Sequence, residues 1–270
     1  MEKDEANKII LLPDYQTLIE TIERMKTELS MLLLERDELQ FVVCKNIETA
    51  YCLELGALEY RAFEAQCAAL RLKRKVEMIQ ARLNRQEKVD IVQIEQALDD
   101  EFIEFQKRLQ EQIEKMNEAL KRSKSKTLTD EETKELKKLY RIIVKSLHPD
   151  INPGISQAQL SLLDNAVAAY KDGDLVALRI LEEMIADHKL PEQARDAMRA
   201  LVQEKERLEG MLSSVRDSIG EIKLRYPYTV KEVVEDPEKK RRRKTEIEHM
   251  LAQYERMIEA YAARLEEMLR

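Results

Sequence analysis

Turn-forming residues are scarce in this chain. Its 270 residues include 5 glycines and 6 prolines, about 4% together where an average protein carries roughly 12%. So few turn formers cannot support many hairpins, which excludes sandwiches, barrels and doubly wound sheets and leaves long helices. Tryptophan is absent and aromatic residues make up 5%. The three cysteines, Cys44, Cys52 and Cys67, are odd in number and lack metal-ligand spacing, so reduced thiols set in helices are expected. No apolar run approaches the roughly 18 residues of a membrane helix. The first residues, MEKDEANKIILLPDYQ, are acidic ahead of a short apolar stretch and unlike a secretory signal. A cytoplasmic protein is expected, with no membrane partner.

Charge is what the chain has in excess. Asp, Glu, Lys and Arg form 37% of it, against roughly a quarter in ordinary domains. The net charge of −7 favours solubility and gives no general attraction to nucleic acid. Hydrophobic residues at 44% suffice to seal helical seams, which argues against disorder.

Apolar residues recur at helical spacing. Leu18, Met25, Leu32 and Leu39 are seven apart, with Ile22, Leu29 and Val43 beside them. Neither glycine nor proline occurs from Ala57 to Leu147. A second stripe of Leu72, Val76, Ile79 and Leu83 ends at NRQEKVD (84–90), where Asp90 suits an N-cap. A third runs from Ile91 through Ile94, Leu98, Phe102, Phe105, Leu109, Ile113 and Met116 to Leu120. The pattern predicts a helical hairpin turning near 84–90. After the basic linker KRSKSK (121–126), Thr129 with Glu132 and Ser156 with Gln159 form two capping boxes. Gly173 ends the second of these helices and Asp174 caps a third. Pro191 opens the last region, in which Leu201, Leu208, Val215 and Ile222 are seven apart. A break at 226–238 precedes Ile247, Tyr254, Tyr261 and Met268 at the same spacing. Two heptad runs around a short break predict an antiparallel coiled-coil hairpin, with Val215 and Ile222 against Ile247, Leu251 or Tyr254. The segments expected are an N-terminal helical coiled-coil region (1–126), a small helical domain (127–189) and the C-terminal hairpin (190–270). Such stripes can pair within one chain or between two, so a homo-oligomer stays open.

The string LKKLYRIIVKSLHPDINPG (136–154) carries the most information. Lys134, Lys138, Arg141 and Lys145 share one basic face of a helix whose other side holds Leu136, Leu139, Tyr140, Ile143 and Leu147. His148, Pro149 and Asp150 follow at once, in a loop closed by Asn152, Pro153 and Gly154. A cationic helix ending in a proline-stiffened His-Pro-Asp loop suits docking on an acidic protein surface. The core of this unit is expected from Leu136, Tyr140, Ile143 and Leu147 facing Leu160, Leu163, Val167 and Tyr170.

The string resembles helix II and the loop of the J domain of DnaJ-like co-chaperones, through Lys137, Lys138, Tyr140, Arg141, His148, Pro149 and Asp150. Ala169–Tyr170 resembles the Ala-Tyr of helix III. The match covers roughly 130–172, and the layout is similar to bacterial J-domain-containing coiled-coil proteins. The resemblance implies docking on a DnaK-type chaperone ATPase and stimulation of its ATP hydrolysis. Docking falls to Lys138, Arg141 and Lys145, and triggering to His148, Pro149 and Asp150. The basic face with Lys134 and Lys137 completes the partner-binding set. Two departures stand out: KSKTLTDEE takes the place of helix I, and Leu163 takes that of the helix III phenylalanine. They leave the core open on one side, where the coiled-coil arms are expected to cover it. The fold class expected is therefore all-α, with elongated coiled-coil helices and hairpins flanking a small truncated J-like unit.

The other features have plainer readings. His188 and His249 are isolated, and the run KKRRRK (239–244) suits a solvated helix start paired with acidic residues of its neighbour. No glycine-rich phosphate loop, Ser–His–acid set or His/Cys cluster is present, so neither an enzyme nor a cofactor or metal is expected. Two functions remain in view. One is a co-chaperone whose coiled-coil arms hold a protein client of unspecified identity. The other is a coiled-coil scaffold or tether with a degenerate J-like unit that lacks ATPase stimulation.

Overall fold

The computed structural model describes residues 13–124, 128–186 and 198–270. Among them the fold is all-α, without a strand. The elements are α1 (Pro13–Glu38), α2 (Cys44–Tyr51), α3 (Ala57–Asn84), α4 (Ile91–Glu101), α5 (Ile103–Ser123), α6 (Asp130–Leu147), α7 (Gln157–Asp172), α8 (Leu175–Ala186), α9 (Met198–Leu224), α10 (Lys231–Glu235) and α11 (Pro237–Leu269). Leu39–Val43 and Cys52–Gly56 are π-helical turns on either side of α2. The helix start expected at Pro191 lies outside the described residues, as does His188.

Contacts divide the chain into two units, each built from two separated stretches: Met1–Cys44 with Lys126–Tyr226, and Lys45–Ser125 with Pro227–Arg270. The three consecutive segments expected from sequence are drawn along other lines. The chief correction concerns the C-terminal hairpin. The seam expected between α9 and α11 is replaced by two others, α9 on α1 and α11 on α3. A heptad stripe is an apolar surface without an address, so any matching stripe can seal it.

In the first unit, Ile22, Met25, Leu29 and Leu33 of α1 and Leu208, Leu212, Val215 and Ile219 of α9 are buried. Glu28 pairs with Arg216, and Glu35 with Lys223 at 3.4 Å. Both partners advance together along the chain, so α1 and α9 run parallel. Leu33, not Leu32, takes the fully buried place after Leu29, because the stripe follows the 3.6-residue turn of a straight helix and not a strict seven-residue repeat.

Helices α6, α7 and α8 pack on one another in the same unit, and α6 also packs on α1. Both capping boxes are formed. Thr129 accepts from the Glu132 N–H while Glu132 returns a bond to the Thr129 N–H, and Ser156 and Gln159 do the same. An N-cap of this kind is worth about 1 kcal/mol. Gly173 stops α7 in the left-handed region at φ 69°, where a side chain would be strained. The Asp174 carboxylate then accepts from the Ala177 N–H at 2.9 Å. Leu136, Tyr140, Ile143, Leu147, Leu163 and Tyr170 form the core as expected, joined by Val144, Ala166 and Ala169. Leu160 and Val167 are half-buried at its margin.

In the second unit the hairpin near 84–90 is formed. Asp90 caps α4 by accepting from the Gln93 N–H at 3.1 Å, and Ile79, Ile94 and Leu98 seal the turn with Leu265 and Met268 of α11 around them. Ala62 and Ala65 of α3 meet Ile247 and Leu251, with Tyr254 and Ile258 alongside. Earlier residues of α3 thus face earlier residues of α11, another parallel pair. The single helix expected over 91–120 breaks at Phe102, whose ψ of 6° leaves the helical range.

The basic runs lie on acidic neighbours in this unit. Arg71 meets Glu95 and Asp99, and Arg74 meets Glu101. Lys240 meets Glu54 at 2.5 Å and Arg243 meets Glu59 at 3.3 Å. The Tyr51 hydroxyl donates to the same Glu59 at 2.5 Å, and burial first, then this carboxylate, pushes its pKa up to about 12.

Candidate partner-docking site

Helix α6 sorts its residues by face. Leu136, Tyr140, Ile143, Val144 and Leu147 are buried, while Lys134, Lys138, Arg141 and Lys145 are all exposed. None of these four cations forms a salt bridge with another described residue. Ile142 lies among them and is 36% exposed, so the face has an apolar centre and a basic rim. Lys137 departs from the set. It turns to α1 and pairs with Glu38.

Beneath that face the aromatic rings of Tyr140 and Tyr170 stack at 4.2 Å, 11° from parallel, which locks α6 to α7. The Tyr140 hydroxyl donates to the Asp37 carboxylate at 2.6 Å. Asp37 is 3% exposed and is held by Arg36 at 2.7 Å through its other oxygen. Burial, then the Asp37 charge and its hydrogen bond, push the Tyr140 pKa up. A buried carboxylate costs free energy unless its oxygens are matched, and here both are. The Tyr170 hydroxyl, by contrast, is buried without a hydrogen-bond partner among the described residues. Lys171 lies over the Phe41 ring at 4.2 Å. The end of α1 and the π turn after it thus pack against α6 and α7 within the same unit.

The loop after α6 is held from several directions. The Asp150 N–H donates to His148 Nδ1 at 3.2 Å, which requires an unprotonated nitrogen there. The N–H groups of Ile151 and Asn152 donate to the His148 carbonyl at 3.0 and 2.9 Å. The Asn152 amide caps α6 by donating to the carbonyls of Lys145 and Ser146 at 2.8 and 3.0 Å. Ile151 is buried, anchoring the loop beneath. From α9, Arg207 Nη1 donates to the Asp150 carbonyl at 2.8 Å. Pro149 points outward, and the side chain of Asp150 is 38% exposed against 16% for His148.

Burial pushes the His148 imidazole below its ordinary pKa. Asp150 opposes the shift, Arg36 adds to it, and Asp37 again opposes it. The Asp150 carboxylate lies 3.8 Å from Nδ1, too far for a hydrogen bond but close enough to act through charge.

No family model, curated protein or solved structure matches the chain. The reading of this site thus rests on its residues and geometry. Sequence reasoning located the basic face and the loop but missed Asp37 and Arg207, which hold the loop-bearing helix and the loop. The signal for Asp37 was present: it stands four residues after Leu33, a carboxylate on a helix's buried stripe. Arg207 gave no comparable signal, since one arginine among many in a charged helix is unremarkable. No helix among the described residues is long and apolar enough to cross a membrane, and no metal-binding cluster occurs among them.

Proposed function

We propose that the protein is a DnaJ-like co-chaperone that docks on a DnaK-type chaperone ATPase through α6 and stimulates its ATP hydrolysis through the His148–Pro149–Asp150 loop. The observation that carries this reading is one continuous arrangement. Four exposed cations of one helix face lead to a loop with Pro149 and the Asp150 carboxylate turned outward. A basic rim around Ile142 suits an acidic protein surface, because complementary charge steers encounter and the apolar centre adds contact area. The paired long helices would then hold a protein client or partner.

A second reading, a scaffold or tether with a degenerate J-like unit, is favoured by one observation: His148 is mostly covered and so is poorly placed to touch a partner. Single-turnover ATP hydrolysis by a DnaK-type chaperone separates the two. The co-chaperone reading expects acceleration that saturates with protein concentration and disappears in His148→Gln. The scaffold reading expects none at any concentration.

A further inference from the structure

Arg207 sits in α9, 57 positions beyond the loop it touches. Its guanidinium is already oriented before it reaches the loop. Nε and Nη2 donate in parallel to the two Glu204 oxygens, at 2.7 and 2.8 Å. That chelate lies within one helical turn and fixes the plane of the planar fork. Nη1 is left to project from α9, where it meets the Asp150 carbonyl at 2.8 Å and the Met211 sulfur at 3.0 Å. The contact is to main chain, so the carboxylate of Asp150 stays free to face outward.

The geometry points to Arg207 as a positioning residue for the His148–Pro149–Asp150 loop, held in aim by Glu204, so that a distant helix sets the loop conformation a chaperone partner would meet. This rests on the co-chaperone reading for its consequence, but its structural half stands on the contacts alone. A carbonyl at the edge of a loop gains a charged donor worth more than an ordinary hydrogen bond. The same carbonyl would otherwise be satisfied by water and the loop free to vary. A clamp that blocked the site would cover Pro149 and the basic face of α6. Both are exposed, so the contact supports the loop from behind.

The test uses the full chain in three forms: wild type, Arg207→Ala and Arg207→Lys. Each is titrated into single-turnover ATP hydrolysis by a DnaK-type chaperone, and amide hydrogen exchange is followed at Ile151 and Asn152. Arg207→Ala should lower maximal stimulation roughly ten-fold, less than the roughly hundred-fold that a 1 Å misplacement of a reacting group can cost, with the half-maximal concentration little changed. Exchange at the two amides should rise. Arg207→Lys, which keeps one charged donor, should recover part of both. Unchanged exchange in Arg207→Ala would overturn the proposal, as would stimulation at or above the wild-type maximum, which would mark a restraint on the loop. If wild type itself gives no stimulation, the co-chaperone reading fails. Exchange then decides the structural half alone: a rise reversed by lysine upholds it, and no rise overturns it.

Discussion

The Tyr140 hydroxyl donates to the Asp37 carboxylate across 103 positions of sequence, and Tyr140 is wholly buried while Asp37 is nearly so. This bond joins the end of α1 to the helix that carries the His-Pro-Asp loop. Removing it should therefore loosen the loop-bearing helix at its base. Tyr140→Phe keeps the ring stack with Tyr170 and deletes only the donor, leaving a buried carboxylate with Arg36 alone. The expected loss is roughly 1.5–3 kcal/mol, read as a lower urea midpoint with unchanged slope.

The same bond sets a response to alkali. The Tyr140 pKa is raised in the folded protein, first by burial and then by Asp37. Its contribution to stability is therefore complete below the unfolded tyrosine value of about 10 and declines as pH rises above it. Urea unfolding of wild type should show that decline above about pH 10. Tyr140→Phe should show a smaller one.

The loop histidine has the opposite sign of dependence. His148 is depressed, first by burial, so its neutral form belongs to the folded state. Its contribution is complete above the unfolded histidine value of about 6.5 and is lost as pH falls toward the depressed folded value. The Asp150 charge resists the depression, so Asp150→Asn should lower the His148 pKa further. A proton titration of the imidazole resonance checks this. A rise in that variant would mean that the carboxylate does not act on the ring as its placement implies.

The parallel pairing of α1 with α9 makes a spatial prediction. Val215 is buried on α9, and a charge there costs several kcal/mol. Val215→Asp should raise hydrogen exchange along Ile22–Leu33 of α1. If exchange rose along Ile247–Ile258 of α11 and stayed unchanged in α1, the antiparallel hairpin read from the heptads would be the better account.

What the sequence made legible was local. Capping boxes at Thr129 and Ser156, the Asp90 cap and the Gly173 stop need only three or four neighbouring residues, so their chemistry is written in short strings. The core of α6 and α7 was legible because Leu136, Tyr140, Ile143 and Leu147 fall on one face at helical spacing. Pairing of the long helices was not, because Val215 and Ile247 sit on equally good apolar stripes that do not specify partners. Nor was the break at Phe102, where apolar spacing continues straight through a residue whose backbone leaves the helical range. At the candidate site the exposed cations and the tripeptide were legible as motifs. Asp37 left one signal, a carboxylate on a buried stripe four residues after Leu33, but its partner Tyr140 lies 103 positions away, and Arg207 reaches the loop through a single long-range hydrogen bond that leaves no pattern.

In the proposed co-chaperone function, residues 134–150 form a docking face and a trigger with separable roles. This assignment is tested most directly by single-turnover ATP hydrolysis of a DnaK-type chaperone titrated with wild type, His148→Gln, Asp150→Asn and the double charge reversal Lys138→Glu/Arg141→Glu. Wild type should accelerate hydrolysis. The loop variants should lose the acceleration while still competing with wild type for the chaperone. The charge reversal should shift the titration to higher concentration, more severely at low salt, where attraction between exposed charges is least screened. Wild type without acceleration at any concentration, or acceleration that survives in both loop variants, would contradict the account.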